Sequence, residues 1–290
     1  MKHIFHIYHP AVVFTYIAAA LVAVMVTRNP VAIGISFFAG SGYFVYLRGV
    51  RAYLKTLRML VFIFVIVAVL NPIFNHNGST ALFYMFGNPV TLEACYFGLA
   101  MGGMLVCILI WFTVYNAIMT GDKFLYLFGK ALPTAALMMS MIARLVPSSR
   151  TKIGRIRAAQ TAMGLGAGTG TWRQRVVHGV RISSILLSWT MEDSIETAES
   201  MNARGYGCAK RTSYTAFAWT ASDIAALIAI LALAGAAGYM LFGPFAAFVY
   251  YPTAGGSLFA PLQIAGYALY ALLLCFPLLL EARETLRWRR

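Results

Sequence analysis

The chain has 290 residues, of which 60% are hydrophobic and only 11% charged. A soluble domain is about 45–50% apolar and about 25% charged, so this composition excludes an ordinary water-soluble fold. Lysine and arginine number 23 against 9 acidic residues, a net charge of +14, and the excess lies between long uncharged runs, which points to a membrane.

A hydrocarbon core of about 30 Å needs about 20 mostly apolar residues per helix, at about 1.5 Å of rise each. Six runs qualify in chain order: residues 11–26, 31–47, 59–74, 92–119, 214–242 and 258–280, the first three short and the fourth long enough to tilt. A seventh run, 131–142, has only 12 residues between Lys130 and the Ala143-Arg144 pair, with Pro133 near its start. It reads as an interfacial or buried helix rather than a span. No cationic flank and small-residue cleavage site mark a removable signal peptide, so the first span is expected to be retained.

Loops rich in lysine and arginine stay in the cytoplasm. With the N-terminus inside, 22 of the 23 basic residues share one side: Lys2, Arg48, Arg51, Lys55, Arg58, thirteen within 123–211, and Arg283, Arg287, Arg289 and Arg290. Only Arg28 is left outside, in a turn ended by Asn29-Pro30, while the external connections 75–91 and 243–257 contain no lysine or arginine. The pattern predicts an all-α polytopic protein of about six spans, with both termini cytoplasmic and the lipid bilayer as its surroundings. Four spans fall in 1–119, a cytoplasmic region with two long helices in 120–212, and two spans in 213–290.

Four cysteines, Cys95, Cys107, Cys208 and Cys275, show no metal-ligand spacing, and three lie within spans, so they read as small buried hydrophobes without a disulfide framework. His3, His6 and His9 recur every three residues, but no cysteine or carboxylate joins them, and an interfacial cluster is preferred to a metal site. His76 and His178 are isolated.

The cytoplasmic region has 13 basic and 5 acidic residues. Its first long helix is expected to open near Pro147-Ser148, to carry Ile153, Ile156, Ala159 and Met163 on one face, and to end in the glycine-rich run 164–170. The second is expected after Thr171 and to about Ala203. Its stripe is Val177, Val180, Ser184, Leu187, Met191, Ser194, Ala198 and Met201, at spacings of three and four, and its small residues would let a partner helix approach closely. Glu192, Asp193, Glu196 and Glu199 cluster in its second half, either as a solvated face or as partners for arginines.

Both helices close alike, one with Ala162-Met163-Gly164 and the other with Ala203-Arg204-Gly205, and Met163 and Arg204 are 41 residues apart. Glycine can take the left-handed conformation that ends a helix. Arg204 then either caps the helix end electrostatically or presents its guanidinium fork to a partner.

Arg144-Leu145-Val146-Pro147, Ile156-Arg157-Ala158-Ala159-Gln160-Thr161-Ala162, and the block from Glu196 through Ala203-Arg204-Gly205-Tyr206-Gly207 to Arg211-Thr212 resemble one known family. It is the transmembrane T component of energy-coupling factor transporters, the EcfT/CbiQ family. Asn71-Pro72-Ile73-Phe74 followed by Gly78 is also similar to that family's pattern. The resemblance implies a micronutrient importer of the ATP-binding cassette class in a prokaryotic cell membrane. The T component would join two cytoplasmic ATPases to a separate membrane S component that binds a vitamin or transition-metal ion. ATP and magnesium would be held by the ATPases and no cofactor by this chain. Carried over, Ala203, Arg204 and Gly205 form one docking tip. At the other, Ala162, Met163 and Gly164 depart from the usual arginine: either Met163 docks by apolar packing, or Arg155 or Arg157 supplies the charge.

No G-x-x-x-x-G-K-[ST] segment occurs, since Gly129-Lys130 lacks the glycine five residues earlier, so the chain is not expected to hydrolyse ATP. Glu93, Asp223 and Glu281 fall near span ends, which gives proton or sodium coupling little support, although a secondary permease or membrane scaffold working without ATPases is the alternative. Nucleic acid is not expected as a partner, because Trp172 alone does not supply stacking aromatics among the basic residues.

Overall fold

A computed structural model of the chain describes residues 8–27, 29–85, 88–129, 131–164, 171–208, 217–242, 248–252, 255 and 261–288. It divides into two units, one of Met1–Lys123 with Phe217–Arg290 and the other of Phe124–Ala216. The two membrane parts expected at either end of the chain thus fold together.

The first unit holds α1 (Pro10–Val26), α2 (Pro30–Arg48), α3 (Val50–Phe74), α4 (Leu92–Ile118), α8 (Ala221–Phe242) and α9 (Pro261–Trp288). Five of these are long and apolar enough to cross a membrane, and α1 is a shorter apolar helix of 17 residues. The protein is an all-α polytopic membrane protein. Helix starts follow local chemistry. Pro10 and Pro30 occupy first-turn positions where a missing N–H costs nothing, and the side chains of His9 and Asn29 accept hydrogen bonds from the Ala11 and Val31 amides at 3.2 and 3.1 Å.

Aromatic side chains fill the core, with Tyr16, Tyr43, Phe44, Trp111 and Tyr270 fully buried. Two of them find polar partners from within: the Trp111 indole donates to Ser36 Oγ at 3.1 Å, and Tyr16 Oη donates to the Leu274 carbonyl at 2.9 Å. Helix α3 packs on α4 across glycines at i and i+4. A Cβ on Gly98 would lie 3.0 Å from the Ala68 carbonyl, and one on Gly102 would lie 3.1 Å from the Phe64 ring. Small residues at that spacing are how membrane helices bring their backbones together.

Several boundaries differ from expectation. α3 begins at Val50 rather than residue 59, because Arg51, Lys55 and Arg58 continue the helix instead of forming a loop. α9 runs on past residue 280 to Trp288. The connection 75–91 contains an antiparallel hairpin, β1 (Ala81–Met85) with β2 (Asn88–Thr91), in the register Phe83 to Val90 and Met85 to Asn88. A short helix, α5 (Gly121–Gly129), follows α4.

The second unit is dominated by α6 (Pro133–Ala162) and α7 (Trp172–Ala203). Here the sequence expectation of a separate helix at 131–142 and a new start at Pro147 is corrected: one helix of 30 residues runs through Pro147. Proline's fixed φ is compatible with a helix interior, at the cost of the hydrogen bond to Ala143 four residues earlier and of the ring's crowding against that carbonyl. Helix α7 begins and ends where expected, and the Thr171 amide donates to Gln174 Oε1 at 2.8 Å as half of a capping box.

Candidate functional site

The two ends singled out in the sequence share one backbone geometry. Met163 has φ −84° and ψ 8°, and Arg204 has φ −83° and ψ 6°. The glycines after them have positive φ, +76° at Gly164 and +77° at Gly205. At the second end, the Tyr206 amide donates to the Met201 carbonyl and the Gly205 amide to the Asn202 carbonyl, both at 3.0 Å. That pair of bonds is a Schellman motif, which satisfies terminal carbonyls without any side chain. At the first end, the Gly164 amide donates to Thr161 at 3.0 Å in the matching position.

Because the backbone caps itself, Arg204 is released from that duty. Its side chain is exposed and has no ion-pair or hydrogen-bond partner among the described residues. Met163 is 63% exposed, so a flexible apolar side chain stands in water at the equivalent point. Arg155 and Arg157 are exposed on the last two turns of α6. Ala162 and Ala203 close their helices and are exposed too. Arg211-Thr212, the glycine run 165–170, and His3 and His6 lie outside the described residues.

Lys152 of α6 pairs with Asp193 of α7, and the Lys152 ammonium also sits 4.8 Å from the centre of the Trp189 ring. Met163 and Arg204 each stand 11 residues beyond their own member of this pair, about 16 Å along the helix. The helices run in opposite senses, since Met141 and Arg144 early in α6 share a cavity of about 420 Å³ with Asn202 and Tyr206 late in α7. The two tips therefore extend in opposing directions from the shared ion pair. Of the four acidic residues clustered on α7, only Asp193 makes an ion pair among the described residues.

The α7 stripe needs correction as the surface against α6. Val177, Val180, Leu187 and Met191 are 58–64% exposed, and Ser184 is exposed as well. Ile182 is the buried position instead, with Leu186, Trp189 and Asp193 partly covered on the same side. Only the end of the stripe, Ser194, Ala198 and Met201, faces α6, across the cavity that Leu145 and Ser148 also line. On α6, Ile153 and Ile156 are covered, whereas Ala159 and Met163 are not.

Upstream, Gly78 has φ +145°, and a Cβ there would fall 2.6 Å from Thr91 Oγ1 and 2.7 Å from Glu93 Oε2. The Glu93 carboxylate accepts from Ser79 Oγ at 3.1 Å and from the Thr80 amide at 3.3 Å, so it clamps this turn. His9, at the start of α1, stacks on Trp219 with ring centres 4.0 Å apart. All four cysteines are free thiols.

No family profile matches the chain. Individual relatives do. The energy-coupling factor transporter transmembrane protein EcfT of Listeria innocua is 27% identical over 190 residues, 60% of this chain and 70% of that protein. EcfT of Bacillus subtilis is 33% identical over 100 residues, 34% of this chain and 38% of the relative, and EcfT of Streptococcus thermophilus is 36% identical over 98 residues, 33% and 37%. The resemblance to the EcfT/CbiQ family is borne out. For the Bacillus and Streptococcus proteins the matched part spans little more than a third of their length.

Proposed function

We propose that this chain is the energy-coupling transmembrane subunit of an ECF-type importer for a vitamin or transition-metal ion. It carries motion from two cytoplasmic ABC-type ATPases to a separate substrate-binding S component. The observation that carries this reading is the pair of helix ends on α6 and α7 with matching backbone geometry, pointing in opposing directions, one with an arginine that has no partner among the described residues. Two such ends suit two copies of a similar partner. The similarity to EcfT proteins supports the same reading.

In mechanism, Arg204 would offer its planar fork to carboxylates or backbone carbonyls in a groove of one ATPase, and Met163 would fill an apolar depression in the other. ATP would be bound and hydrolysed, with magnesium, in the ATPases; this chain would be a non-catalytic subunit. Closure of the ATPases would shift the tips, and the pairing of α6 and α7 at Lys152 and Asp193 would act as the point about which they move. The exposed apolar stripe Val177, Val180, Leu187 and Met191 would then lie against the S component. The basic excess supports a cytoplasmic position for the tips and both termini.

The test is affinity purification of the tagged chain from its native membrane, with mass spectrometry, for wild type and Arg204→Glu. Wild type is expected to bring down two cassette ATPases and a small membrane protein, and the charge reversal to lose ATPase. A complex without any ATPase in wild type would leave the scaffold or secondary-permease reading instead.

A further inference from the structure

In the membrane unit, a cavity of about 670 Å³ runs between α2, α3 and α4, with Phe248 and Tyr250 also lining it. Leu60 and Cys107, each 1% exposed, and Val106 lie deepest in it, while Val61, Tyr96 and Leu99 are exposed at its mouth. Its room comes from missing side chains: Gly34 lines it, and a Cβ built there has nothing within 4 Å. Along α4 the lining extends from Tyr96 to Cys107, about 16 Å at about 1.5 Å per residue. That is half of the roughly 30 Å hydrocarbon core, the depth of one leaflet.

Water suits this space poorly, because a buried water needs two to four polar partners, and apolar cavities stay dry and take apolar ligands. The surface beside the mouth is equally apolar, with Phe62 66% and Val65 51% exposed on α3. In a bilayer that surface meets hydrocarbon, so the molecules at the mouth are lipid chains. We propose that the groove holds one acyl chain of a membrane phospholipid, lying over α4 between α2 and α3 and against Gly34 of α2. The chain supplies packing that these three helices do not supply to one another.

The full-length protein, purified in mild detergent with the subunits it retains, allows the test. Native mass spectrometry is expected to find one phospholipid more per wild-type chain than per Gly34→Leu chain, since leucine grows into the groove without a clash. Ala100→Leu, on the α4 wall, provides a second way to fill it. Stripping lipid should lower the thermal midpoint of wild type more than that of either filled variant. Equal lipid retention by wild type and a folded filled variant overturns the proposal. A photocrosslinker replacing Leu99 in the otherwise wild-type chain gives a separate answer: coupling to phospholipid supports it, and coupling to a protein subunit overturns it.

Discussion

Arg204 and Met163 occupy the same backbone position to within 2° in φ and ψ, and differ in what they project. Hydrogen bonds to a charged group contribute about 1.5–3 kcal/mol, so under the proposed coupling role Arg204→Ala is expected to weaken ATPase retention about 10- to 100-fold. Met163→Ala should cost less, because only apolar contact is lost. Equal losses of uptake in a transport assay would refute the asymmetry. Lys123 makes a different case. It is 5% exposed, its Nζ has no hydrogen-bond partner among the described residues, and burial holds its pKa below the usual lysine value. A base whose pKa is lower folded than unfolded binds fewer protons when folded. Its burden on stability therefore eases as pH rises from the folded value toward the unfolded value, about 10.4. Lys123→Met is expected to raise the apparent Tm at neutral pH and to flatten the alkaline rise in Tm expected of wild type. A variant less stable than wild type at neutral pH would contradict it.

At the scale of elements, the glycines decide where α6 and α7 stop. Gly205 at φ +77° is left-handed, a conformation that costs an L-residue about 1–2 kcal/mol. Gly205→Val is thus expected to fray the last turn of α7 and to weaken ATPase retention although Arg204 is intact; hydrogen exchange at Ala203 to Tyr206 reads the fraying, and unchanged protection there would sink the argument. These ends were legible in the sequence because glycine after a periodic run has few other uses. Pro147 was not, since the φ that favours a helix start also permits a helix interior, and only the run of apolar residues before it argued for continuity. Nor was the buried side of α7 legible: Ile182, Leu186 and Trp189 offer as good a three-and-four spacing as Val177, Val180 and Leu187. Periodicity ranks faces by apolarity, and a helix with partners on two sides has two apolar faces. The hairpin of β1 and β2 was hidden for another reason, being two strands too short to show alternation above the turn residues around them.

For the whole molecule, the placement of charge makes the strongest statement that composition alone could support. With 22 of 23 basic residues assigned to one side, the cost of the reverse orientation lies in carrying those charges across hydrocarbon, at about 2.5–3.5 kcal/mol for each placed at a helix centre. If the six apolar helices of the first unit all cross the membrane in alternation, the turn at Asn77 and the end of α7 at Cys208 are expected to face opposite compartments. Cys208 is a free, exposed thiol, and the Asn77 side chain is exposed next to Gly78. In a chain in which Cys208 is the one remaining cysteine, a membrane-impermeant maleimide is expected to label inverted membrane vesicles and to spare intact cells. Asn77→Cys in a chain lacking the native cysteines should behave the other way round, labelled in intact cells and protected in inverted vesicles. Labelling of both positions from the same side would mean an odd number of crossings between α3 and α7 has been misassigned, and with it the cytoplasmic position of Arg204 on which the proposed coupling depends.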